Sequence, residues 1–181
     1  DRIDYRKGPY RADIGDNALA GAAFMNTVKR INAPFAAAEV GQYGWRRLAG
    51  GGSFGLGDGE LTLVAQWKGY DGPWQLAEDL QHVSGFAKYA QDTALGAFDL
   101  SLSAYNAKWQ PTEQIPERLI GTSVCRDEYC AIDDSAKGVT TRYILTARLA
   151  GDDWHALLYT QFYDWNMYSN STYDFQIHQW D

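Results

Sequence analysis

The fold of this chain is indicated first by an alternating stretch, Leu61-Thr62-Leu63-Val64-Ala65-Gln66-Trp67-Lys68. Every second residue from Leu61 to Trp67 is apolar, and most of the residues between them are polar. The same period recurs in a second stretch, Phe98-Asp99-Leu100-Ser101-Leu102-Ser103-Ala104-Tyr105. A period of two predicts β-strands that have one apolar face and one polar face.

Short and long connections alternate along the chain. The short ones are Gly57-Asp58-Gly59, Thr93-Ala94-Leu95-Gly96 and Gly151-Asp152-Asp153. The segments between them run from about ten to about thirty residues, and tight turns on one side with long loops on the other are typical of outer-membrane barrels. The helical signal is limited to one turn at Leu76–Leu80. We predict eight strands, which are Phe35–Tyr43, Trp45–Phe54, Glu60–Tyr70, His82–Gln91, Ala97–Trp109, Thr141–Ala150, Trp154–Asn166 and Tyr173–Trp180.

Composition excludes one class of function and leaves a choice between two environments. The formal net charge of -7 argues against a nucleic-acid partner, because no basic stripe is present to neutralise phosphates. Seven Trp and twelve Tyr lie mostly near strand ends, for example Tyr43 with Trp45 and Tyr70 with Trp74. Such rings suit either the headgroup level of a membrane or the core of a soluble sandwich.

The two cysteines, Cys125 and Cys130, lie close together in the longest loop. A pair this close, with no other cysteine in the chain, favours a local disulfide in an oxidising compartment over two free thiols. Two thiols without a nearby His make a poor zinc site.

Near the start of the chain, the stretches Tyr5–Asp16 and Ala20–Arg30 contain a basic pair before Gly-Pro, a later turn glycine, and a Thr-x-Lys element. These stretches resemble the end of the plug domain in TonB-dependent outer-membrane receptors. In that family a basic residue before Gly-Pro leads through a Gly turn into a Gly-rich strand that ends in Thr-x-Lys or Thr-x-Arg, and the barrel follows. Ile14 stands where the family often has an aromatic residue. The matching positions here are Arg6, Lys7, Gly8, Pro9, Gly15, Gly21, Asn26, Thr27 and Lys29.

The resemblance implies an all-β chain with two parts. Residues 1–32 would be the C-terminal part of a plug domain. Residues 33–181 would be the first eight strands of an antiparallel transmembrane β-barrel, forming an arc of a barrel that has about 22 strands in all. The expected location is the outer membrane of a Gram-negative bacterium, and the expected function is energised uptake of a scarce solute such as a siderophore-metal chelate. The implied partners are the remaining strands and plug, in the same receptor or a second chain, a TonB-type periplasmic energy-coupling protein, lipid and lipopolysaccharide, and a small-molecule ligand.

Candidate ligand contacts lie in the loops that this orientation places outside the cell. Aromatic faces beside arginines suit a flat or anionic solute, although residues of an aromatic girdle would give the same pattern. We find no catalytic motif, expect no metal and no cofactor, and interpret His82, His155 and His178 as strand residues. The candidates for ligand contact are Trp45, Arg46, Arg47, Trp74, Gln75, Gln110 and Arg118.

Two other functions stay open at this stage. One is a self-contained eight-stranded outer-membrane barrel with a structural or adhesive role, in which the first and eighth strands pair with each other. The other is a soluble β-sandwich that acts on carbohydrate through a carboxylate pair such as Glu113 and Glu117, whose separation the sequence does not define.

Overall fold

The computed structural model describes residues 2–8, 10, 19–169 and 177–178, the last two by their backbone only. Within this part of the chain the fold is all-β, and its one helical element is a single 3₁₀ turn at Glu117–Leu119. No helix in the described ranges is long and apolar enough to cross a membrane. The strands are β1 (Arg2–Lys7), β2 (Gly21–Asn26), β3 (Phe35–Val40), β4 (Arg46–Leu56), β5 (Gly59–Tyr70), β6 (Leu80–Thr93), β7 (Gly96–Trp109), β8 (Lys137–Ala150), β9 (His155–Ser169) and β10 (Ile177–His178).

The strands form two antiparallel sheets. β1 pairs with β2 in a two-stranded sheet, and β3 to β10 form an eight-stranded meander in which each strand pairs with the next. The predicted antiparallel meander is confirmed. The sheet is open in the part of the chain that the structure describes, because β3 pairs there only with β4 and β10 only with β9.

The connections differ at the two ends of the large sheet. Residues 57–58, 94–95 and 151–154 join strands at one end, which we call the short-turn end. Residues 41–45, 71–79 and 110–136 join them at the other, which we call the long-loop end. The alternation of short and long connections predicted from the sequence is therefore present.

Strand register confirms the predicted alternation of faces. Residues directly opposite each other in antiparallel strands point to the same face, and Leu63, Ala87, Leu102 and Leu145 form one such row across four strands. We call this side the apolar face and the opposite side the polar face. The residues on this side include Leu61, Leu63, Ala65, Trp67, Phe98, Leu100, Leu102, Tyr143, Leu145, Ala147 and Leu149.

Burial on the two faces is the reverse of that in a soluble sandwich. Leu102, in the middle of the apolar face, is 43% exposed, whereas Thr62 and Lys88 on the polar face are 2% and 6% exposed. Soluble sheets instead bury their apolar side against a second layer. In the described residues, the apolar face of this sheet has no covering layer.

Some of the observed element boundaries differ from the predicted ones. β3 ends at Val40 rather than Tyr43, which has a φ of 56° in the turn before β4. Leu76–Leu80 is not helical, because residues 76–79 lie in an irregular loop, where the Glu78 N–H donates to the Asp71 carbonyl at 2.7 Å, and Leu80 begins β6. Most of the predicted strand Tyr173–Trp180, together with Pro9 and Gly15 of the plug motif, lies outside the described residues.

Candidate binding site

A segment just before the first strand of the large sheet lies on the polar face. We call residues 27–31 the strap. The Ile31 N–H donates to Ser53 Oγ at 2.8 Å, and Ser53 Oγ is 2.6 Å from Thr62 Oγ1. The Thr62 hydroxyl in turn donates to the Lys29 carbonyl at 3.4 Å. Backbone groups of the strap are therefore the hydrogen-bond partners of the Ser53 and Thr62 hydroxyls, and these bonds hold the strap against the sheet.

Lys88 is the most buried cation of the described sheet, and it joins the strap to the wall. Its ammonium donates to Thr27 Oγ1 at 3.1 Å and to the Val28 carbonyl at 3.4 Å, and it pairs with Asp99 Oδ1 at 3.2 Å. Two of these contacts are hydrogen bonds to strap oxygens, and Asp99 supplies the opposite charge through the ion pair. A buried charge is tolerated only when it is paired and hydrogen bonded in this way.

Two more ion pairs lie at the edges of the strap. Lys29 pairs with Asp92, and Arg30 pairs with Glu60, each at 3.3 Å. Both pairs are largely exposed on at least one side, so each contributes little beyond orientation.

A group of cations and aromatic rings lies on the polar face toward the long-loop end. Arg47 is directly opposite Lys68, and Lys68 is directly opposite His82. In the neighbouring row, Tyr105 is opposite Arg142. Like charges directly opposite each other destabilise a sheet, and here Glu39 pairs with Arg47. We call Arg47, Lys68, His82, Tyr105, Arg142 and Tyr163 the cationic patch.

Ring contacts hold part of the cationic patch in place. The His82 ring stacks on the Tyr105 ring with centroids 5.8 Å apart. The Arg142 guanidinium lies 5.8 Å from the Tyr163 ring centroid and donates to Gln161 Oε1, with Nη2 at 2.6 Å. Arg47 is bonded to Glu39 and Gln66. The patch therefore presents fixed guanidinium groups and flat rings on one surface.

Two of the long loops meet around the disulfide. Cys125 and Cys130 are joined, as predicted, and they enclose Tyr129. The Gln75 N–H donates to the Tyr129 carbonyl at 2.8 Å, and the Trp74 and Tyr129 ring centroids are 6.0 Å apart. A cavity of about 720 Å³ lies beside them, with Arg126 and Asp127 in its wall.

The other predicted loop contacts do not converge on this cavity. Trp45 makes an edge contact with Tyr70, with ring centroids 6.1 Å apart, and Arg46 pairs with Asp71 at 3.5 Å. Arg47 belongs to the cationic patch, the Gln110 N–H donates to the Glu78 carbonyl at 2.7 Å, and Arg118 lies in the 3₁₀ turn. Burial raises the pKa of Glu78 above its ordinary value.

No group of three or more His, Cys, Asp or Glu side chains suited to a metal occurs in the described residues. Glu113 accepts a hydrogen bond from Ser169 Oγ at 2.7 Å, and Glu117 lies in the 3₁₀ turn.

Comparisons of the chain with protein-family models, with curated proteins and with solved structures find no match in any of the three. The fold and the site are therefore interpreted from this chain alone. Sequence reasoning missed Lys68, His82, Tyr105, Arg142 and Tyr163 as one group. Alternation places each of them on a polar face, but only the strand register brings them together.

Proposed function

We propose that this chain is part of a TonB-dependent outer-membrane receptor for energised uptake of a scarce solute, such as a siderophore-metal chelate. Residues 1–32 are proposed as the last part of the plug and residues 33–181 as the first eight strands of the wall. In that class the solute binds to the outer loops and plug, and a periplasmic energy-coupling protein pulls on the plug to open a path. The remaining strands and plug, in the same or a second chain, would complete the barrel.

The position of the strap is the observation that supports this proposal most. A segment that precedes the first wall strand lies on the polar face, where Ser53 and Lys88 bind it. In a soluble sandwich, burial of apolar area would draw such a segment to the apolar face instead. Protein on the polar side and an exposed apolar side fit a wall with a plug inside and lipid outside.

The height of the apolar band agrees with the same proposal. On β7 the band runs from Phe98 to Ala104, and Asn106 follows it as the first polar residue in that direction. The opposite residues on β8 repeat the pattern, from Leu149 to Tyr143, before Thr141. Six steps along a strand measure about 20 Å, comparable with the ~25 Å apolar band of membrane barrels.

The first test is the mass of the particle purified from its native membrane in detergent. The proposal expects a mass far above the 20.3 kDa of this chain, with other polypeptide present. A stable monomer in detergent, with β3 and β10 hydrogen bonded to each other, would instead support a closed small barrel. A native particle that folds and stays monomeric without detergent would contradict both and return the soluble sandwich to consideration.

The second test compares two neighbouring positions. Leu102→Cys and Ser103→Cys each add one free thiol to a chain whose own cysteines are bonded, and each is labelled with an environment-sensitive fluorophore in vesicles. Brominated acyl chains are expected to quench the probe at position 102 much more strongly than at position 103, because the two side chains lie on opposite faces. Equal quenching at the two positions would remove the membrane proposal.

A further inference from the structure

We propose that the cationic patch binds a small solute that carries at least two anionic groups beside a flat ring. The inference rests on the proposed function, since it requires the polar face to line the path of the solute. It goes further by naming the chemistry of the solute from residues that lie inside the wall rather than in the loops.

The patch occupies a part of the polar face that the strap does not reach. The strap bonds to Ser53, Thr62 and Lys88, which lie toward the short-turn end. The six side chains of the patch lie two or three rows farther toward the long loops and are half-buried. No strap bond in the described residues involves any of them.

The charge of the patch is opposite to that of the chain. The chain carries a formal net charge of -7, yet the patch holds three permanent cations, Arg47, Lys68 and Arg142. Glu39 is the carboxylate bonded to them, through Arg47. Toward the short-turn end, by contrast, Lys88 of the sheet and Arg30 of the strap each pair with a carboxylate of the sheet. An anion would relieve the repulsion between the opposed Arg47 and Lys68.

The spacing of the cations sets the size of the solute. Lys68 on β5 and Arg142 on β8 are separated by three strand spacings, which is about 14 Å. A single small anion cannot contact both groups, whereas a solute with two or more separated carboxylate, sulfonate or phosphate groups can. Tyr105 and Tyr163 lie beside Arg142, where their faces suit a flat ring held next to a guanidinium.

The test uses pyranine, a trisulfonated hydroxypyrene, as a flat polyanionic probe. Its fluorescence anisotropy is titrated with the full chain in detergent, and neutral hydroxymethylpyrene serves as the uncharged comparison. The inference expects saturable binding of pyranine only, with affinity reduced about fivefold by Lys68→Gln or by Arg142→Gln and further reduced by added salt. Arg142→Lys is expected to recover part of the loss, because it restores the charge without the guanidinium fork.

Two further variants separate binding from folding. Arg148→Gln removes an exposed cation of the same face near the short-turn end, and it is expected to leave the affinity unchanged. Ser84→Lys adds a charge between Gln66 and Tyr105 in one row, and it is expected to raise the affinity, which a misfolded variant cannot do.

The outcomes distinguish this inference from the proposed function. Equal pyranine affinity in the wild-type chain and the two Gln variants, an equal loss with Arg148→Gln, or no gain with Ser84→Lys would overturn the patch. If brominated lipid quenches the probe at position 102 but pyranine affinity does not depend on Lys68 or Arg142, the inference fails and the receptor proposal stands. Charge-dependent pyranine binding without lipid quenching would retain an anion-binding surface but remove its assignment to a membrane wall.

Discussion

The polar face of the large sheet differs between its two ends in how it is covered and how its charges are paired. At the short-turn end the strap covers it, and Lys88 is buried with hydrogen-bond acceptors on the strap and an ion-pair partner on the wall. At the long-loop end the cationic patch is half-buried, and Arg47 lies opposite Lys68 without a shared carboxylate between them. The difference indicates that the short-turn end joins the strap to the sheet, while the binding role that we propose for the cationic patch belongs to the long-loop end.

The largest effect expected from this difference concerns two glycines with positive φ. At Gly96, beside the short turn 94–95, φ is 130° and an added Cβ would overlap the Ala150 carbonyl oxygen. At Gly121, in the long loop, φ is 82° and no heavy atom lies within 4 Å of the added Cβ. We expect Gly96→Ala to lower the free energy of unfolding by about 3 kcal/mol or more and Gly121→Ala by about 1 kcal/mol, the cost of backbone strain alone.

Urea unfolding of both variants in detergent measures this contrast. A loss at Gly121 as large as that at Gly96 would mean that the long loops are as tightly constrained as the short turns. Such a result would contradict the expected difference in backbone constraint between the two ends of the sheet.

The second prediction compares two lysines of the polar face. Lys88→Met leaves Asp99 without its ammonium and the strap without a donor. We therefore expect the free energy of unfolding to fall by about 3 kcal/mol. This is the lower end for a broken buried pair, because Arg148 lies opposite Asp99 and can offset part of its charge. Lys68→Met is expected to change stability by less than about 0.5 kcal/mol, since it removes a repulsion with Arg47. The same unfolding measurement applies, and similar losses for the two variants would contradict the comparison.

The sequence predicted the sheet better than its connections. Alternation through Leu61–Trp67 and Phe98–Ala104 depends only on the strand period, so it placed the apolar face correctly. The predicted strand Phe35–Tyr43 extends three residues too far, because the turn at 41–45, where Tyr43 has a positive φ, decides the conformation there. Leu76–Leu80 has good helix formers, and the loop bonds of Glu78 to Asp71 and Gln110 override that local preference.

The candidate sites were harder to predict than the sheet. They bring together residues that are far apart in the chain, and the sequence pattern does not encode such contacts. The disulfide was predicted because Cys125 and Cys130 are local. The contact of Gln75 with Tyr129 joins two separate loops, and the opposition of Lys68 to His82 requires the exact register of β5 and β6. A shift of one residue would send either side chain to the other face.

The third prediction concerns the disulfide at the long-loop end. Closing so short a loop contributes about 2 kcal/mol of chain entropy, and the strands of the sheet do not depend on it. Reduction is therefore expected to increase trypsin cleavage after Arg126, which lies inside the closed loop and is 95% exposed, while cleavage after Arg46 stays constant. Peptide mapping with and without reductant provides the measurement. Faster cleavage at both sites would show that the disulfide stabilises the sheet as well as its own loop.

The smallest effect is expected at Glu78, in the loop 71–79. Burial raises the pKa of Glu78 above its ordinary value of 4.5, because desolvation favours the neutral carboxyl in the folded loop. The stabilising contribution of this group is thus complete below the unfolded pKa and is lost as pH rises through the raised folded pKa. Glu78→Gln stays neutral, so the variant should gain on the wild type between about pH 4 and about pH 7, by less than about 0.5 kcal/mol. Asp79→Asn, at an exposed neighbour, is the matched control and should show no such trend when unfolding is followed across that range. A gain for Glu78→Gln that is largest at low pH would reverse the sign of the argument and exclude burial as the cause.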